Sequence, residues 1–290
     1  MTLPDVGIHE DIPAEQYHRI DCASRSTLVQ IASGESPAQV RWGMLNHRPS
    51  TPAQKLGTAL HHLVLDPPEV FSEKVVLCPP FNRHKPAERE QRQTFIDEHE
   101  AAGRTVMEGT EQLDVLYAMG RALQQHPFCR TFLPTITHRE VTLIWQHPDY
   151  GLTVKARLDA VLLSERQIID IKTVRSVNPH YLKREIRARG YLHQGALYTR
   201  VAAALGIEVA HYVILWVQNE RLIEVVPARL TDVTLAIGWR ELDRPMQVMA
   251  ECYESGIWPS QTDTIIDLSL PEWDERRAMS ELTMADYEEV

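Results

Sequence analysis

The sequence predicts an α/β (α+β) fold in which a central mixed sheet is flanked by helices and preceded by a mainly helical N-terminal extension. Three observations support this reading. Between residues 138 and 174 the pattern turns to two-residue alternation, and REVTLIWQ, LTVKARLDAVLL and RQIIDIKTV read as an antiparallel meander, turned at Gly151 and at Ser164, Glu165 and Arg166. A strong apolar strand, AHYVILWVQ, and a partner, LIEVVPA, follow after a helical stretch. Upstream of residue 136 apolar residues recur at helical spacing, and no repeat, low-complexity tract or linker divides the chain. One domain over 1–290 is expected, with a mainly helical part at 1–135, a core at 136–230, and a C-terminal helix and acidic tail at 231–290.

In chain order, Ser24 or Ser26 can cap a helix running through Leu28 and Ile31. Arg25 then stands at a helix N-terminus, either as an exposed side chain beside an ordinary cap or as a phosphate contact backed by free N–H groups. Helices follow from Pro37 to His47 and from Ala53 to Leu65, where Gly57 allows close approach of a neighbour. His61 and His62 point about 100° apart, so at most one faces any given site. Pro67 and Pro68 stop this helix. Residues 78–93 read as a polar loop with basic Arg83, His84 and Lys85, leading into a helix over 88–102, and another helix over 110–125 begins at a Thr110 cap. After Asn178 one helical pattern runs through KREIRARGYLHQGALYTRVAAALG. On it Tyr191, Gln194 and Tyr198 share a face, while Lys183, Arg184, Arg187 and Arg189 form the most basic cluster of the chain, which by default is a solvated surface. A long helix spans 231–255, and the tail beyond Pro259 is acidic and unpatterned.

Composition narrows the class. With 43% apolar residues among 290 the chain can bury a sizeable core. A net charge of -10 rules out a uniformly basic nucleic-acid binder but leaves room for a local basic groove. Cys22, Cys78, Cys129 and Cys252 are widely separated and form no ligand cluster, so reduced thiols are expected and an iron–sulfur centre is not. No signal-peptide pattern opens the sequence and no apolar run reaches about 18 residues, which points to a cytoplasmic protein without a membrane span.

The candidate chemistry sits in DAVLLSERQIIDIKT. On a strand Asp170 and Lys172 project to one side, while Ile169 and Ile171 turn to the core. The hairpin brings Asp159 back beside Asp170, and two carboxylates at adjacent strand ends suit a hard ion such as Mg²⁺ or Mn²⁺. Glu140, near the start of the first strand, is on this evidence a solvent-facing residue. An acid, a gap and D-x-K is the pattern of PD-(D/E)xK enzymes, although alone it also fits a solvated strand edge carrying a salt bridge.

More of the chain carries a resemblance. GTALHHLVL, PPFNR, the strand led by Glu140, RLDAV, DIKT, YLHQGALY and SLPEW, spread from Gly7 to Trp273, closely resemble the nuclease-domain family of RecE (exodeoxyribonuclease VIII) within the PD-(D/E)xK superfamily. The resemblance implies a restriction-endonuclease-like core and a Mg²⁺-dependent exonuclease, with Mn²⁺ as substitute. Such an enzyme degrades one strand of duplex DNA from its 5′ end and leaves a 3′ single strand for an annealing protein in phage-type recombination. By motif, His61, Asp159, Asp170 and the Ile171 carbonyl would be metal ligands or lie near the metal. Lys172 would be the catalytic lysine, Glu140 a catalytic acid, and Gln194 with Tyr198 the Gln-x-x-x-Tyr pair that supports the site. Arg25, Arg83, Lys85, Lys183, Arg184, Arg187 and Tyr191 would contact DNA or its 5′-phosphate. Leu158 replaces the motif's proline, a position that coordinates nothing, and the long N-terminal region of RecE has no counterpart here. RecE-like and lambda-exonuclease-like enzymes form toroids, so a homo-oligomeric ring is expected, a tetramer ahead of a trimer. The alternatives are another nuclease of this fold, either an endonuclease or a CRISPR-type end-processing enzyme, and a non-catalytic DNA-binding protein built on it.

Overall fold

The computed structural model describes residues 3–46, 49–82, 84–220 and 222–281. A short strand, β1 (Gly7–His9), leads into α1 (Ala14–Arg19), the two-residue β2 (Ala23–Ser24) and α2 (Arg25–Ala32). Ser24 caps α2 in a reciprocal capping box with Thr27, as one of the two sequence alternatives required. Then come α3 (Pro37–Leu45), α4 (Pro52–Leu65), α5 (Pro68–Lys74), β3 (Val75–Leu77), α6 (Pro86–Ala101), β4 (Thr105–Met107), α7 (Thr110–Gln125) and α8 (Pro127–Phe132). Proline at the first helical positions and the Ser36 and Thr51 capping boxes set the starts of α3 and α4. Thr110 does not cap α7: Gly109 holds the cap position without a side-chain bond. Close helix approach falls at Gly120, where an added Cβ would lie 2.7 Å from Leu63 of α4, and not at Gly57, whose nearest neighbour would be Thr173 at 3.8 Å.

The meander is β5 (His138–Gln146), β6 (Thr153–Leu162) and β7 (Gln167–Val174), followed by α9 (Pro179–Ala188), α10 (Tyr191–Ala204), β8 (His211–Gln218), β9 (Val225–Arg229), α11 (Asp232–Ser255) and α12 (Glu272–Glu281). The single helix expected after Asn178 is therefore two. Gly190 adopts left-handed backbone, φ 66°, between α9 and α10, and this re-aims the second helix toward the sheet. The poorly patterned acidic tail carries α12, and its last residues, 282–290, lie outside the described chain. Among the described residues no helix is long and apolar enough to cross a membrane, and all four cysteines are buried.

The main sheet is mixed and runs β1-β5-β6-β7-β8-β9. β5 pairs antiparallel with β6 from His138↔Val161 to Gln146↔Thr153. β6 pairs with β7 only at Ala160↔Ile169, Val161↔Ile168 and Leu162↔Gln167. Beyond that the strands part, and β2 takes the vacated edge of β6 in parallel, with Ala23↔Val154 and Ser24↔Lys155. β7 continues in parallel with β8. The sheet is thus a fork, with β1, β5, β6 and β2 in one arm and β7, β8 and β9 in the other.

Each face buries its own core. Leu28, Leu182, Leu197, Val201, Leu242 and Met246 of α2, α9, α10 and α11 pack on Val141, Leu158, Ile168 and Trp216. On the opposite side Leu60, Leu116, Met119 and Leu123 of α4 and α7 pack on Ala160, Ile169, Ile171 and Leu215. At about 25 cal/mol per Å² of apolar surface removed from water, this two-sided burial fixes which residues are left at the fork.

Candidate metal centre

The site lies where the fork opens. Asp159 and Asp170 occupy the next register position after Ala160↔Ile169, the first at which β6 and β7 no longer bond. Glu140 stands opposite Asp159 between the pairs Arg139↔Ala160 and Val141↔Leu158, so three acids lie in a row across adjacent strands. The central strand, β6, changes phase at this row. Val141 and Leu158 belong to the core under α10, yet Val161 on the far side of the row faces that same core while Ala160 faces the other. On β5, opposite Asp159, Glu140 stands at φ 50° within a strand, a left-handed conformation that costs a non-glycine residue about 1–2 kcal/mol.

α4 delivers His61 from the other face. Its Nε2 donates to the Ile171 carbonyl at 3.0 Å and lies 3.5 Å from Asp159 Oδ2, while its Nδ1 lies 3.4 Å from Glu140 Oε1. His62 points away and pairs with Asp66 at 2.6 Å, in keeping with the rule that adjacent helical histidines diverge. Asp159 Oδ2 also accepts from the Ile171 amide at 2.8 Å. Ligand atoms of His61, Glu140 and Asp159 all fall within 4.8 Å of one another, the spread of a metal-binding group. Asp170 stands beside this group and not within it: Gln194 Nε2 of α10 donates to its Oδ1, and Lys172 Nζ lies 2.7 Å from its Oδ2. Lys172 Nζ also donates to the Ile171 carbonyl at 3.4 Å.

Burial and neighbouring charge set the protonation states. Burial works against a charged His61, but Asp159 and Glu140 outweigh it and raise its pKa to about 9. Burial, with Asp170 close by, lifts Asp159 to about 6. Burial opposes ionisation of Glu140 too, yet His61 and Arg157 bring it down to about 2. Lys172 is buried, but Asp170 and Asp159 hold its ammonium charged well above the usual range. A cluster of one imidazole and hard carboxylate oxygens fits a divalent cation. One further observation agrees: Glu140 Oε1 is a buried carboxylate oxygen with no aligned hydrogen-bond donor.

Tyr198 lies one helical turn beyond Gln194, buried, its phenol pushed up to about 12 by burial. It lines a groove of about 1240 Å³ together with Ser24, Arg25, Ser26, Lys155 and Trp42. Tyr191 sits under the Lys172 ammonium, 5.7 Å from ring centre to Nζ. Several of the other expected basic residues are held in ion pairs of their own. Arg187 is paired with Glu241 at 2.6 Å, Arg189 with Glu185 at 3.2 Å and Lys85 with Glu88 at 2.9 Å. Arg184 stacks over Tyr181, Lys183 is exposed, and Arg25 donates to the Arg189 carbonyl at 3.4 Å. Arg83 lies outside the described residues.

Two site neighbours escaped the sequence reading. Arg157 donates to Glu140 Oε2 at 2.9 Å. The alternation of Lys155, Arg157 and Asp159 along one strand was the signal that could have flagged it. Tyr212 of β8 is fully buried, and burial together with the charge of Asp170 holds its phenol well above its usual range. Nothing in its local sequence marks it out.

The fork, the row of acids and the lysine define a PD-(D/E)xK-type centre. Residues 24–267 match the family model described as a PDDEXK-like domain of unknown function (DUF3799), and the chain belongs to that family. Among solved structures, a "putative exonuclease" from Eubacterium rectale is similar, with a TM-score of 0.61 at 12% identity over 95% of this chain and 98% of that one, which shows a shared fold. LHK-Exo in complex with dAMP aligns with a TM-score of 0.29 at 14% identity, over 79% of this chain and 97% of that one. No curated protein sequence matches the chain.

Proposed function

We propose that the protein is a Mg²⁺-dependent exodeoxyribonuclease that removes nucleotides from the 5′ ends of duplex DNA and leaves 3′ single strands for an annealing partner. The observation that carries this reading is the convergence of His61, Glu140, Asp159, Asp170 and Lys172, from four separate elements, on the point where the sheet divides. The 5′ polarity rests on the RecE resemblance. His61, Glu140, Asp159 and the Ile171 carbonyl would hold the ion, with Asp170 completing the acidic row. A bound divalent ion supplies Lewis-acid polarisation of the scissile phosphate and lowers the pKa of the attacking water.

The protein's own groups do the rest. Lys172 stays protonated beside Asp170 and acts as a donor, orienting the water or meeting charge on a phosphate oxygen, and is not a base. Gln194 keeps Asp170 turned toward Lys172. Tyr198 and Arg25 line the groove beside the site and would receive the terminal nucleotide and its 5′-phosphate. In this reading residues 1–290 act as one catalytic domain in the cytoplasm. Closure of several copies into a ring, a tetramer ahead of a trimer, would compensate for a net charge of -10 by enclosing the strand that survives digestion.

The test is digestion of linear and circular duplex carrying 5′ or 3′ labels, with Mg²⁺ or with EDTA, alongside molar mass by light scattering. Loss of the 5′ label first, from linear DNA only and only with Mg²⁺, supports the reading. Digestion in EDTA, cutting of closed circles, or release from 3′ ends overturns it, and a monomeric mass overturns the ring.

A further inference from the structure

β6 presents Lys155, Arg157 and Asp159 at two-residue spacing. The two cations grip the same short piece of chain. Lys155 Nζ donates to the carbonyls of Tyr17 at 2.8 Å, His18 at 3.3 Å and Ile20 at 2.8 Å, and lies 4.9 Å from the centre of the Tyr17 ring. Arg157 lies over the same ring at 5.7 Å and donates through Nη1 to the Ile12 carbonyl at 2.8 Å and to Thr142 Oγ1 at 2.9 Å. Its Nε is left to Glu140 Oε2, at 2.9 Å. The guanidinium is therefore fixed on one edge by the N-terminal segment and on the other by the acid.

Glu140 needs such a fixture. Its left-handed backbone takes it out of the regular ladder, so strand pairing does not set where its side chain points. With Oε2 tied to Arg157, Oε1 is turned to within 3.4 Å of His61. We propose that Arg157 is the positioning residue for Glu140, and that the segment from Ile12 to Ile20 is through it a working part of the metal centre. This rests on the reading of His61, Glu140 and Asp159 as metal-binding. A planar fork is required for the task, since a lysine ammonium on a flexible stem cannot reproduce two fixed edges at once.

The experiment is Mn²⁺ binding to the full chain without DNA, followed by electron paramagnetic resonance, for wild type, Glu140→Gln, Arg157→Gln and the double variant, with thermal unfolding in EDTA as the check on folding. Arg157→Gln is expected to weaken Mn²⁺ binding about 10- to 100-fold. In the Glu140→Gln background the same change is expected to add nothing, because the residue it positions has lost its charge. Tyr17→Leu is expected to weaken binding in the same direction. Should Arg157→Gln fail to fold, Arg157→Lys takes its place in the cycle and is expected to bind Mn²⁺ about tenfold more weakly or worse. Wild-type affinity in Arg157→Gln or Arg157→Lys, or an equal loss in both backgrounds, overturns the positioning role. Unchanged affinity in Tyr17→Leu overturns the part given to the N-terminal segment. If Glu140→Gln itself binds Mn²⁺ as wild type does, the metal reading of Glu140 falls, and the proposal with it.

Discussion

Asp159 Oδ2 accepts a 2.8 Å hydrogen bond from the Ile171 amide across the opening of the fork. Where β6 and β7 stop bonding through their backbones, a carboxylate thus satisfies an amide of a residue only 2% exposed. Asp159→Asn keeps an acceptor for that amide, whereas Asp159→Ala leaves it orphaned. Urea unfolding should find Asp159→Ala less stable than Asp159→Asn by about 1–3 kcal/mol. Both variants should lose Mn²⁺ binding, because the charge is gone in each.

His61 gives the metal-free protein a defined pH response. Its pKa of about 9 lies above the usual 6.5, so the stability its charge contributes is fully present below pH 6.5 and fades as pH rises through 9. The contribution is about 2 kcal/mol after allowance for the exposed part of the ring. Asp159, raised to about 6, is mostly ionised where that window opens and completes its titration well below pH 9. Urea unfolding in EDTA at pH 6.5 and at pH 9.5 should show this loss in wild type and not in His61→Gln. Calorimetry of Mn²⁺ binding near pH 7, in buffers of different ionisation enthalpy, should show close to one proton released as the imidazole becomes a ligand.

Gln194 acts on Asp170 from α10. Gln194→Leu removes the donor to Asp170 Oδ1 without changing the volume much, and leaves Lys172 as the carboxylate's main partner. In steady-state digestion of linear duplex, kcat should fall about 10- to 100-fold with KM nearly unchanged, the signature of a group that orients the site and does not bind substrate.

The placing of α10 depends on α11. At Gly238 an added Cβ would collide with the Leu192 carbonyl oxygen and lie 2.7 Å from its carbon, both backbone atoms that cannot step aside. Gly238→Ala should destabilise the fold by about 1–3 kcal/mol in urea and lower activity too, since the displaced helix carries Gln194 and Tyr198.

What could be read from the sequence was what depends on neighbours in the chain. The alternation of QIIDIKT put Ile169 and Ile171 into a core and left Asp170 and Lys172 to the site, and the Ser164–Arg166 turn brought Asp159 back toward Asp170. What could not be read depends on distant pairing. The two residues of β2 have no periodicity of their own, and only their contact with Val154 and Lys155 makes them the strand that occupies the fork. Glu140 followed a solvent-facing strand pattern because a left-handed residue inside a strand leaves no mark in composition. The partner of Arg187 in the basic cluster on α9 is Glu241, on a helix about fifty residues later, a pairing that no local pattern shows.

The central claim is that the opening of the fork is a divalent-metal centre built on His61, Glu140 and Asp159. Anomalous scattering from crystals soaked in Mn²⁺ addresses it without recourse to activity. The account predicts a peak in coordination contact with His61, Glu140 and Asp159, lost in Asp159→Asn crystals. A map in which Mn²⁺ binds elsewhere on the chain while this cluster stays empty would contradict it.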